Sequence, residues 1–183
     1  MRGVPRNRVV LEEHNPAWAE EFRRTKALLE SIHGDRVIDI QHVGSTAIEG
    51  IAAKPMLDVA VLFSVMTDAV FAAMRDHGYE YYGEVANGKH LFILRNDRGD
   101  SLEHVHGYEV KNRGLFDEQI RFRDFLRAHP AYAGEYEQLK RALCQAYADD
   151  RRRYTAGKQA FFDRIRVLAE REQRDARPEP SGG

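Results

Sequence analysis

Apolar residues along the chain fall into two regimes. Through about residue 110 they gather in short runs broken by turn residues; from Leu115 onward they recur at helical spacing. The first run, 8–11 (RVVL), predicts a short edge strand. Asn15-Pro16 marks a helix start, because Asn can accept from the free N–H groups of a first turn and Pro is tolerated there. Trp18, Phe22, Leu28, Leu29 and Ile32 give that helix an apolar face, and Gly34 gives it a stop. Runs 36–43 and 56–63 predict strands, the second largely buried. A short helix over about 67–77 leads to three more strands, 79–84, 90–95 and 101–110. Asn87-Gly88 and the stretch 97–100 supply the intervening turns.

In the second regime Leu115, Phe122 and Leu126 share a helix face, with Phe116 and Ile120 beside it, and His129-Pro130 ends that helix. Tyr132, Tyr136, Leu139, Leu143, Ala146 and Tyr147 make another helix; Phe161, Phe162, Ile165 and Leu168 make a last one. Residues 172–183, rich in charge, Pro and Gly, predict a disordered tail. No internal repeat stands out. The expected class is α+β: a mixed sheet flanked by helices over about 8–110 and a helical part over about 114–171, in a single domain of 1–171.

Composition narrows the function classes. At 43% hydrophobic and 31% charged, the 183 residues can bury a core. Lys and Arg (28) balance Asp and Glu (29) to a net charge of −1, which argues against a nucleic-acid backbone as the main partner. Arg151-Arg152-Arg153 therefore reads as a solvated helix end. No stretch approaches the ~20 apolar residues of a membrane span, and the opening MRGVPRNRVV lacks the apolar centre of a secretory signal. A cytoplasmic protein with no membrane partner is expected. The single cysteine, Cys144, leaves no internal disulfide and no Cys-based zinc site to form.

Candidate chemistry gathers in 36–62. Gly44-Ser45-Thr46 directly follows a strand, where a glycine lets the backbone approach a bound anion and the hydroxyls can donate. His42 precedes it and Lys54 follows. Asp58 stands inside an apolar strand, sharing a face with Met56, Ala60 and Leu62; a buried carboxylate there must be paired, hydrogen-bonded or metal-bound. A plain alternative is that Asp58 caps a turn or pairs with Lys54. His104 and His106, two apart on a strand, present both imidazoles on one face with Leu102 and Tyr108. The remaining histidines, His14, His33, His77, His90 and His129, lack such spacing and read as surface or core-edge residues. Lys158 stands one helical turn before Phe161 and Phe162, on their inward stripe, and Arg121 and Arg123 flank an apolar helix face.

These residues resemble the GrpB family. The likeness is carried by His42-Val43-Gly44-Ser45-Thr46-Ala47-Ile48 and Ala53-Lys54-Pro55-Met56-Leu57-Asp58-Val59. It extends to Asn15-Pro16-Ala17-Trp18, His104-Val105-His106, the stretch 122–130 and the stretch 154–161, roughly residues 8–168 in all. The family is a bacterial branch of the nucleotidyltransferase superfamily, found also fused to some dephospho-coenzyme A kinases. The resemblance implies a nucleotidyltransferase-like fold, with a Gly-Ser turn for a nucleoside triphosphate and carboxylates for divalent ions. Gly44-Ser45 and Asp58 match the turn and the first acid. The usual Asp-x-Asp is incomplete, because Ala60 stands where the second acid would be.

The expected function is transfer of a nucleotidyl group from ATP or another nucleoside triphosphate to a small molecule. His42, Gly44, Ser45, Thr46, Lys54, Arg123 and Lys158 would bind phosphates. Lys54, Asp58 and Lys158 would be catalytic, with a divalent ion (Mg²⁺ first, Mn²⁺ or Zn²⁺ as alternatives) on Asp58, His104 and His106. Two other readings stand beside it: a nucleotide- or coenzyme-binding protein without chemistry, and a metal-dependent enzyme built on His42, His104, His106 and Asp58. The acceptor, the choice of nucleotide and the oligomeric state have no readable code in the sequence.

Overall fold

The computed structural model describes residues 3–175. Helix α1 (Ala17–His33) starts where Asn15 Oδ1 accepts from the Ala17 N–H at 2.9 Å, and ends at Gly34, whose φ of 55° only glycine adopts freely. Five strands follow: β1 (Val37–Val43), β2 (Leu57–Phe63), β3 (Tyr79–Ala86), β4 (Lys89–Arg95) and β5 (Ser101–Glu109), with α2 (Asp68–Asp76) between β2 and β3. The C-terminal part is helical: α3 (Arg113–Ala128), α4 (Pro130–Tyr147), α5 (Arg151–Ala156) and α6 (Gln159–Asp175). The expected α+β layout is present, with a mixed sheet, flanking helices and a helical C-terminal part.

The sheet order is β1-β2-β5-β4-β3, antiparallel except for β2 and β5, which run parallel. Alternation along β2 sorts its side chains. Leu57, Val59, Val61 and Phe63 face a core that includes Trp18 and Leu29 of α1 and Val70 and Met74 of α2. Ala60 and Leu62 face the other way and pack with Val43, Tyr108 and Phe116 of α3. A third apolar cluster, with Ile48, Phe125, Tyr136, Phe161 and Ile165, joins the loop after β1 to α3, α4 and α6. The β2–β5 pairing sets Asp58 beside His104 and Ala60 beside His106.

Four expectations are corrected. Residues 8–11 form no strand: the Val9 N–H donates to the Ala148 carbonyl at 2.7 Å, so this segment is tied to the end of α4. Its neighbours pair only through single bridges, Val4 with Ser101 and Glu12 with Ala53. The last helix is broken at Gly157-Lys158, leaving Lys158 in a turn. A tail starting at 172 is not seen, because α6 continues to Asp175; residues 176–183 of that expectation lie outside the described residues. His33 is no edge residue: it is 1% exposed, edge-on to Phe63 and 3.3 Å from Met74 Sδ. No helix among the described residues is long and apolar enough to cross a membrane.

Candidate functional site

A cavity of about 470 Å³ opens where the ends of β1, β2 and β5 meet the C-terminal helices. Its floor is built by strand pairing. Val43 opposes Asp58 across β1–β2, so the chain turning at Gly44 passes directly over the Asp58 carboxylate. Gly44 has φ 71°, and a Cβ added there would lie 2.5 Å from Asp58 Oδ2. Glycine is thus required twice, by conformation and by space. The tight turn Ser45–Ala47 follows, and its first N–H groups, on Ser45 and Thr46, have no partner inside it. Ser45 Oγ lies 3.4 Å from the Tyr136 hydroxyl of α4.

Asp58 Oδ1 is 3.4 Å from His106 Nε2 and 3.9 Å from His104 Nδ1. Burial alone would raise the Asp58 carboxyl, but the His106 hydrogen bond and the charges around it, including Lys54, hold it below the ordinary carboxylate range. It is therefore an anion at neutral pH. Burial drives His104 down to about 3 and lowers His106 as well, so both imidazoles are neutral there. His104 Nε2 and His106 Nδ1 are buried with no hydrogen-bond partner. The opposite face of β5 carries a separate arrangement, in which Glu103 accepts from Thr25 Oγ1 at 2.7 Å and from the Tyr79 hydroxyl at 2.6 Å.

Gly44, Ser45, Thr46, Lys54, Asp58, His104, His106 and Lys158 are brought together around the cavity. Lys158 reaches it from the α5–α6 turn, its Nζ 4.9 Å from the Tyr154 ring centre and 5.4 Å from that of Phe162. Two other expected residues do not line it. His42 stacks on Phe22 at 4.9 Å between ring centres, and its Nε2 is 3.0 Å from Thr46 Oγ1. Arg123, 8% exposed, donates to Gln41 Oε1 at 2.9 Å, to the His42 carbonyl at 2.8 Å and to Asp124 at 2.7 Å. Both act from behind the Gly-Ser turn, holding it against α1 and α3.

Several lining residues were not expected at the site. Lys140 of α4 is 2% exposed; its ammonium donates to the Ala52 carbonyl and lies 4.6 Å from the centre of the Tyr136 ring. Its place one turn beyond Tyr136, on the apolar stripe of its helix, was the available signal. Arg151 also lines the cavity, so the arginine run is not wholly a solvated helix end. Lys89, at the start of β4, had no signal in sequence. Arg166 of α6 pairs with Glu118 at 3.4 Å and with Asp163 at 3.0 Å at the helical side.

The donor set can be tested against a metal centre. Ala60 is 0% exposed within the apolar cluster beneath α3, so a two-ion centre of the Asp-x-Asp kind does not fit. Among the described residues no group of three or more His, Cys, Asp or Glu side chains is arranged to hold a metal ion. One ion on Asp58, shared with ligand phosphates, fits the chemistry of a lone carboxylate at the cavity floor, the other lining acids, Glu118 and Asp163, being paired with Arg166 at the helical side.

Comparison with known proteins places the chain. The profile described as GrpB protein matches residues 8–167. The glutamate-rich protein GrpB of Alkalihalophilus pseudofirmus is 37% identical over 173 residues, covering 90% of this chain and 98% of that one. The UPF0157 protein YqkA of Bacillus subtilis is 34% identical over 171 residues, 91% of this chain; the chain spans only 49% of that protein. The crystal structure of the conserved protein GrpB from Enterococcus faecalis superposes with a TM-score of 0.82 at 31% identity, over 90% of this chain and 99% of that one. With the profile covering nearly all the described residues and close likeness in both sequence and structure, the chain belongs to the GrpB family.

Proposed function

We propose that the protein binds a nucleoside triphosphate in this cavity and transfers its nucleotidyl group to a small acceptor molecule. The observation that carries this is the Gly44-Ser45 turn lying directly over the ionised Asp58, at the floor of a cavity rich in cationic side chains. The N–H groups of Ser45 and Thr46 and the Ser45 hydroxyl meet phosphate oxygens. Lys54 and Lys158 offset charge on the phosphates and on departing pyrophosphate. The acceptor attacks the α-phosphorus in line, and the bond to the bridging oxygen of pyrophosphate breaks. Asp58 would hold a divalent ion arriving with the phosphates, which would supply charge stabilisation at the reacting phosphoryl group.

Calorimetric titration with each of the four common nucleoside triphosphates tests the binding half: one of them binds, and silence from all four removes the proposal. Asp58→Ala then abolishes pyrophosphate release across an acceptor panel. A second reading, binding without chemistry, is favoured by one observation: the methyl of Ala60 is sealed in the core where the second acid would stand. It predicts a ligand-raised melting temperature with no pyrophosphate released from any acceptor.

A further inference from the structure

The cavity concentrates positive charge far beyond what its acids offset. Lys54, Lys89, Lys140, Lys158, Arg121 and Arg151 all line it. Among the described residues none of them has a carboxylate ion-pair partner within 4.0 Å, and the interior carboxylate is Asp58 alone. The chain as a whole carries −1, so this is a local accumulation against the global balance. The three charges at the helical side are by contrast matched, Arg166 against Glu118 and Asp163. The imbalance therefore belongs to the interior.

Buried cations without counter-ions are costly to keep. In direct contact Lys140 has a backbone carbonyl and a ring, and Lys158 has two rings. Burial first, with the repulsion of neighbouring cations, presses both down to about 7, and the pull of Glu137 on Lys140 and of Asp58 on Lys158 offsets only part of it. Such a cluster is frustrated as it stands, and a multiply charged anion relieves it. A triphosphate has that charge, and Ser45 and Thr46, whose N–H groups have no partner inside their turn, line the same cavity. We propose that the cationic interior binds the triphosphate group in metal-free form, these lysines and arginines supplying the neutralising charge that a second metal ion would bring, a step that rests on the nucleoside-triphosphate reading above. Ala60 and the cationic cluster then belong together, since the acid is dispensable where its metal's electrostatic role is taken over by ammonium and guanidinium groups. Binding and turnover separate in their metal requirement.

The test is calorimetry of the full chain with ATP, or whichever triphosphate binds, in excess EDTA and again with magnesium. The Kd in EDTA should lie within about threefold of the magnesium value, and Lys158→Met should weaken EDTA binding about tenfold, as expected for loss of one charge-assisted contact. Lys158→Arg should keep most of the affinity. Arg151→Gln, at a half-buried position whose guanidinium otherwise donates to the Arg6 carbonyl at 3.3 Å, should weaken binding several-fold and so covers the case in which the Lys158 variant folds poorly. Inorganic tripolyphosphate in EDTA should compete. Binding that requires magnesium overturns the inference and leaves the nucleotide reading standing. EDTA binding indifferent to both charge removals, or untouched by tripolyphosphate, overturns it too. No binding of any triphosphate in either buffer overturns both.

Discussion

Among single residues, burial decides what each histidine can do. His33 and His104 are both driven down mainly by burial, His33 to about 4 and His104 to about 3, yet only His104 faces the cavity. His33 is a stability element. Its folded value lies below the ordinary 6.5, so between the two the unfolded chain binds more protons. Stability is whole above about pH 6.5 and falls as pH drops toward 4. From about pH 7 to about pH 5 this one group should remove about 2 kcal/mol. His42, also near 4, acts in the same direction. Urea unfolding at both pH values should show a smaller acid loss in His33→Leu than in the parent; an identical loss would refute the assignment. The Asp58, His104 and His106 side chains were legible in sequence because strand alternation is local: residues two apart must share a face. The burial of His33 was not, since it depends on Phe63 and Met74, which are remote in sequence.

For whole elements, helix α3 is the member that sets the turn over Asp58. Arg123 and Arg127, one helical turn apart, reach the carbonyls of His42 and Ala47 on either side of Gly44-Ser45. Removing Arg123 leaves a buried carbonyl and the Gln41 amide oxygen without their donor. Arg123→Met should therefore cost about 2–3 kcal/mol in urea unfolding. Nucleotide affinity should stay within a few-fold, because the guanidinium does not line the cavity. Lost affinity at unchanged stability would instead make Arg123 a phosphate ligand. The existence and type of nearly every element were legible, since periodicity and the Asn15, Gly34 and Asn87-Gly88 signals act within a few residues. The α5–α6 break was not. Apolar spacing runs on through it, and what fills the space is Leu143 from another helix, against which any Cβ at Gly157 would collide. Segment 8–11 was misjudged for a similar reason, as its backbone partner is the remote Ala148.

The whole molecule places a strand-built floor under a helical roof. The floor was largely readable from 36–62 and 101–110. The roof was readable only in part: Lys158 stood out, whereas Lys140 and Arg151 become neighbours of Asp58 only once the helices are docked, and Lys89 only once β4 has paired with β5. The net charge of −1 concealed a cavity of opposite sign, because composition averages over positions that the fold separates.

The parallel pairing of β2 with β5 reaches beyond geometry into time. Asp58 meets His104 across a chain closure that spans α2, β3 and β4. Such a long closure is entropically slow. The prediction is that the cavity is among the last features to assemble and among the first to come apart. An occupant of the cavity should slow unfolding and leave the refolding rate unchanged, because it stabilises contacts absent from the transition state. Stopped-flow unfolding and refolding with and without bound triphosphate would show this as a shift in one limb of the kinetic profile, so that occupancy sets the lifetime of the folded chain.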